Sequence, residues 1–129
     1  MRRNKKLIVG ISSFMMLAWP ALAADLNAEI TNAATHANLA SQAGDIAMVH
    51  THLHHTVNCL VGPGGAGFDP KEINPCANSG NGAIPDSGAQ SKQALEAALA
   101  KANSGLAATD LPTAKKDASD AEAALKAIK

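Results

Sequence analysis

Aromatic residues are nearly missing from this chain: no tyrosine, one tryptophan and two phenylalanines in 129 residues. Rings bring the most area to a core, so any interior here must be assembled from small aliphatics. An excess of charge is missing too. Eleven basic and eleven acidic residues cancel formally, which excludes the basic footprint of a nucleic-acid binder. Beyond the N-terminus, no stretch approaches the ~20 apolar residues of a membrane-spanning helix. The motifs G-x-S-x-G, C-x-x-C and C-x-x-C-H are absent, and the carboxylates do not pair at a catalytic spacing. Those absences exclude a covalent haem and predict a protein that is not an enzyme.

What is present begins with an address. Arg2, Arg3, Lys5 and Lys6 precede an apolar stretch, Leu7 to Ala18, and Pro20-Ala21-Leu22-Ala23 ends in a small-x-small pattern. Residues 1–23 therefore read as a Sec-type signal peptide cut after Ala23, directing the chain to the periplasm or outside the cell without a stable membrane anchor. Four of the eleven basic residues lie in that leader, so the mature chain has seven basic and eleven acidic residues, a net charge of −4. Its 106 residues contain only 18 Leu, Ile, Val and Phe, with Phe68 the sole aromatic. So thin a core predicts a covalent staple.

Cys59 and Cys76 are the only cysteines, and export places them in an oxidising compartment. A disulfide is the expectation. A thiolate metal site shared with His55 is the competing reading.

Periodicity predicts an all-α chain. Leu26, Ile30, Ala33, Ala37 and Ala40 form one helical face behind Asp25, a candidate N-cap, and Gly44 ends that helix. Asp45 caps a second helix with Ile46, Val49, Leu53, Val57 and Leu60 on one side. Residues 61–88 break every pattern with seven glycines and Pro63, Pro70, Pro75 and Pro85. Ser87 and Gln90 then fit a capping box, followed by a face of Leu95, Leu99, Ala102 and Leu106. Asp110 starts a last helix bearing Leu111, Ala114, Ala118, Ala121, Leu125 and Ile128 on one face, with Pro112 tolerated in its first turn. The expected architecture is a four-helix bundle of two αα-hairpins, 24–60 and 89–129, joined by a long disulfide-tethered loop, 61–88. A shift of 65 residues aligns Ala37-Asn38 with Ala102-Asn103 and Asp45-Ile46 with Asp110-Leu111, consistent with duplication of one hairpin.

All five histidines fall in the first hairpin: His36, His50, His52, His54 and His55. Helix propensity does not favour them there. His50 and His54 are one turn apart, so two imidazoles can meet one ion, and this pair is the first candidate. His52 lies on the opposite flank, one turn past Met48, and His55 points away from the core. The outer stripe Met48, His52, His55, Cys59 should have the loop drawn toward it. An antiparallel hairpin sets His36 level with His52. In one hand of the bundle those two share the outer groove; in the other hand His50 and His54 fill it. The glycine run 62–67 contains proline and no lysine and precedes no helix, which marks a turn-forming loop rather than a phosphate cradle. The loop oxygens of Asp69, Glu72, Asn74, Asn78, Asn81 and Asp86 lack the order of a calcium loop and read as solvated.

His36, the run His50-Thr51-His52-Leu53-His54-His55 and the alanine-leucine helices of 89–128 resemble the small periplasmic histidine-bearing metal-binding proteins that fold as four-helix bundles. Those proteins carry histidines along all their helices and lack a comparable loop, so this chain suits one or two sites rather than high-capacity storage. The expected cargo is Cu(II), the tightest binder of the divalent series, with Zn(II) or Ni(II) next. Buffering, tolerance or delivery would be the role. Binding should weaken as pH falls through histidine's usual range near ~6.5. The alternative is a metal-free interaction module that meets an envelope protein through the tethered loop, with Phe68 exposed near its tip.

Overall fold

The computed structural model describes residues 23–128, so the expected leader, apart from Ala23, lies outside the described residues. Four long helices and one short one make up the regular structure, with no strand among the described residues: α1 (Leu26–Gln42), α2 (Ile46–Val61), α3 (Ala83–Asp86), α4 (Ala89–Ala107) and α5 (Leu111–Lys126). No described helix is long and apolar enough to cross a membrane.

Three of the long helices begin as the aspartates dictate. The side chain of Asp25 accepts from the Ala28 amide at 2.9 Å, Asp45 from Met48 at 2.8 Å and Asp110 from Thr113 at 3.0 Å. Each satisfies one of the orphan N–H groups of a first turn. The fourth start departs from expectation. Gly88 is the N-cap of α4 and offers no side chain. Ser87 instead closes α3, its hydroxyl donating to the Ile84 carbonyl at 2.8 Å. The unforeseen turn of α3 occupies the serine before it can cap α4.

Short connections make α1 with α2, and α4 with α5, into hairpins. The helices pack in a closed circuit: α1 against α2 and α5, α4 against α5 and α2. Alanine explains the close approach. Ala33, Ala37 and Ala40 on α1, Ala98 and Ala102 on α4, and Ala114, Ala118 and Ala121 on α5 are fully buried. Larger volume comes from Val49, Leu53, Val57 and Leu60 on α2, with Leu95 and Leu125. Each such aliphatic contributes about 1.5–3 kcal/mol on burial, and truncating Leu53 to alanine would cost about 2–5 kcal/mol. Gly105 completes the fit, because a Cβ there would lie 2.6 Å from Leu53 Cδ1.

The expected loop is shorter and more ordered than its composition suggests. Helix α2 runs through Val61, and the segment 62–82 leaves and returns to the same point. Its two ends touch backbone to backbone: a Cβ on Gly62 would meet the Asn81 carbonyl oxygen at 1.6 Å. Gly62 (φ 68°) and Gly82 (φ 117°) adopt the left-handed region that favours glycine. Cys59 and Cys76 are joined in a disulfide, which removes the thiolate-site reading. Beside it, the buried Asn58 side chain donates to the carbonyls of Asp69 (2.9 Å) and Ile73 (3.1 Å) and accepts from the Asp69 amide (2.8 Å). The Glu29 carboxylate on α1 accepts from the Gly82 amide at 2.9 Å. The loop is thereby bound to the outer side of α2. Phe68 does not stand exposed at its tip; it is half-buried and packs against the core.

Candidate metal centre

The core faces of α1 and α2 fix which flanks meet. Thr56, fully buried on α2, donates its hydroxyl to the Ala33 carbonyl of α1 at 3.3 Å and to the His52 carbonyl at 3.1 Å, pinning the two helices at this level. His36 on α1 then faces His52 and His55 on α2. The hairpin has the hand in which the outer groove receives His36 and His52.

The three rings converge. His36 Nδ1 lies 3.3 Å from His52 Nδ1 and 3.3 Å from His55 Nδ1. Each residue offers one ring nitrogen, and the three nitrogens all lie within 4.8 Å of one another. Ring centroids are 5.0–5.6 Å apart, with His55 edge-on to both partners. Two ligands held at ~2.0–2.1 Å by one tetrahedral ion stand about 3.3 Å apart, the separation found here. Hydrogen bonding alone serves the cluster poorly. An imidazole nitrogen carries either one proton or one lone pair, so His36 Nδ1 cannot make a good bond to both neighbours.

Electrostatics favour the neutral rings that coordinate. Burial, followed by the proximity of His55 and then His52, pushes His36 down to about 4. Burial and then His55 also lower His52. Protonating His36 or His52 takes a cation out of water and sets it beside the neighbouring rings.

A carboxylate stands behind the third ring. His55 Nε2 is 3.3 Å from Glu72 Oε2, close enough for an ion pair although off the axis of a hydrogen bond. A histidine that coordinates through one nitrogen commonly directs its other N–H to such a partner. His55 is nevertheless only 5% exposed. Its side chain does leave the helical core, but the stapled loop covers it.

His50 and His54, the first candidate pair, are not brought to this group. They occupy the opposite flank of α2. His50 Nε2 is 3.2 Å from the Ala108 carbonyl, and His54 Nδ1 is 3.9 Å from Asp69 Oδ2. Glu72 was missed in the sequence, where it read as a solvated loop oxygen. One signal was there: Glu72 precedes Cys76 by four residues, as His55 precedes Cys59. Asn58 was missed as well; nothing local distinguishes it from the other asparagines.

Compared with known proteins, the chain matches no family profile, no curated relative and no solved structure.

Proposed function

We propose that the chain is an exported four-helix bundle that binds a transition-metal ion through His36, His52 and His55. Cu(II) is the expected cargo on affinity, with Zn(II) and Ni(II) next, since imidazole suits all three and copper binds most tightly, while a tetrahedral spacing of the nitrogens suits Zn(II). Its role is buffering, tolerance or delivery in the periplasm, without chemical turnover. The observation that carries this reading is the pair of 3.3 Å Nδ1 separations meeting at His36. Nitrogens spaced for a common ion, with burial favouring the neutral form of His36 and His52, are what a binding site requires. The resemblance to small periplasmic histidine-bearing bundles supports the same conclusion. The rival interaction module loses its aromatic anchor, because Phe68 packs against the core.

Isothermal titration of the purified chain with Cu(II), Zn(II) and Ni(II) tests the proposal. Saturable uptake that His36→Ala abolishes is expected. No uptake of any of the three, or uptake indifferent to His36→Ala, overturns it.

A further inference from the structure

The centre is joined to the disulfide by a repeated spacing. Four residues separate His55 from Cys59 on α2, and four separate Glu72 from Cys76 on the loop. The first members of the two pairs meet at 3.3 Å, and the second members are covalently bonded. One cross-link therefore fixes the register of the other. Without the bond, Glu72 would belong to a glycine- and proline-rich segment whose backbone is held near α2 by the Asn58 side chain, which donates to the Glu72 carbonyl at 3.3 Å as well as to Asp69 and Ile73, and at its far end by Glu29. Closing such a segment costs chain entropy, which a covalent link removes in advance.

We propose that forming the Cys59–Cys76 disulfide licenses the histidine site: oxidation fastens Glu72 behind His55, and only the oxidised chain holds a metal ion tightly. The proposal rests on reading the triad as a metal site. In the licensing step, each thiol gives up a proton and the pair gives up two electrons. The acceptor is an oxidant of the protein-disulfide class, which becomes a dithiol as the S–S bond forms. Glu72 then acts as a positioning residue. Its carboxylate favours the tautomer with the proton on Nε2, which leaves the Nδ1 lone pair directed at the ion. The step runs one way. Cys59 is 0% and Cys76 1% exposed, so a reductant cannot reach the finished bond in the folded chain. A reduced copy would compete poorly for metal before export and become competent after it.

The test measures Zn(II) and Cu(II) affinity of the full chain by competition with a chromophoric chelator. The set is the oxidised wild type, Cys59→Ala with Cys76→Ala, Glu72→Gln and Glu72→Leu, with helix content checked by circular dichroism. Affinity about 10–100-fold weaker is expected for the double cysteine variant and for Glu72→Leu, the range found when the partner of a metal-bound histidine is removed. Glu72→Gln keeps an acceptor oxygen and should lose less. In 15N NMR of the zinc-loaded chain, His55 should carry its proton on Nε2 in the wild type and become a mixture in Glu72→Leu, which a merely structural role would not produce. Wild-type and cysteine-free affinities within twofold, while His36→Ala still abolishes binding, overturn the licensing proposal alone. If the cysteine variant fails to fold, unchanged affinity in Glu72→Leu overturns it. Failure of the oxidised wild type to bind either ion overturns the site itself.

Discussion

His36 and His52 place their Nδ1 atoms 3.3 Å apart across the groove between α1 and α2, sixteen residues distant in sequence. His55 meets the same nitrogen of His36 at the same distance. Removing any one of the three leaves two ligands and a cavity where the third stood. Alanine at 36, 52 or 55 should therefore weaken metal uptake by more than the ~10–100-fold that follows loss of a supporting carboxylate. His50→Ala with His54→Ala should leave uptake within about twofold, since those rings face Ala108 and Asp69. Titration calorimetry on the four variants decides, and a larger loss in the double variant would return the site to the other flank.

That choice of flank marks where sequence reasoning stopped. The aspartate caps are local, because residue and amide partner are three apart, so Asp25, Asp45 and Asp110 were legible at once. The core face of α2 was legible because large aliphatics recur at helical spacing. The hand of the hairpin is not local. It depends on how alanine faces from α1, α4 and α5 nest, and alanine-rich faces differ little from one another. Glu72 depends on loop path, and that path is set, beyond the foreseen disulfide, by Asn58 and Glu29, distant residues with no pattern of their own. Ser87 shows the reverse hazard: the motif with Gln90 forms no cap, because the preceding turn takes the serine hydroxyl and Gly88 starts α4.

Acid should loosen the metal-free fold through His36. Its folded pKa is about 4, below the ordinary 6.5. Between those values the unfolded chain binds a proton that the folded chain does not, so stability falls as pH drops from ~6.5 toward ~4 and this contribution levels off below. Urea midpoints of wild type and His36→Gln across that range should diverge, with the wild type losing more. Parallel curves would contradict the lowered value. For the same reason, proton competition at His36 and His52 sets in below histidine's usual range, lower than the sequence implied.

Gly62 should tolerate no side chain. Its φ of 68° and a hypothetical Cβ 1.6 Å from the Asn81 oxygen combine backbone strain with a backbone clash. Gly62→Ala should cost more than about 2 kcal/mol, because left-handed strain alone contributes ~1–3. For a domain of this size that lowers the melting temperature by roughly 10 °C or more. Gly64→Ala is the control, since a Cβ there meets nothing within 4 Å. Equal melting points for the two variants would show that the loop ends are free to separate.

Glu29 fastens the other end of the loop at an electrostatic cost. The side chain is fully buried; Oε1 accepts from the Gly82 amide, while Oε2 has no hydrogen-bond partner. Burial raises its pKa most, the Gly82 amide opposes that, and the charges of Asp86 and Asp25 add to the rise. A raised carboxyl pKa means that the folded chain holds a proton more readily than the unfolded chain. Its contribution is therefore greatest below ~4.5 and is lost as pH climbs through the folded value. Glutamine keeps the oxygen that receives the Gly82 amide and removes the charge. Glu29→Gln should accordingly stabilise the fold near pH 7.5, because it removes a buried charge that Asp86 and Asp25 repel. The gain should shrink toward zero near pH 4, where the wild-type carboxyl is already neutral. Urea unfolding at the two pH values measures it. A variant weaker than wild type at both would mean that the carboxylate, charged and buried, is needed to hold Gly82.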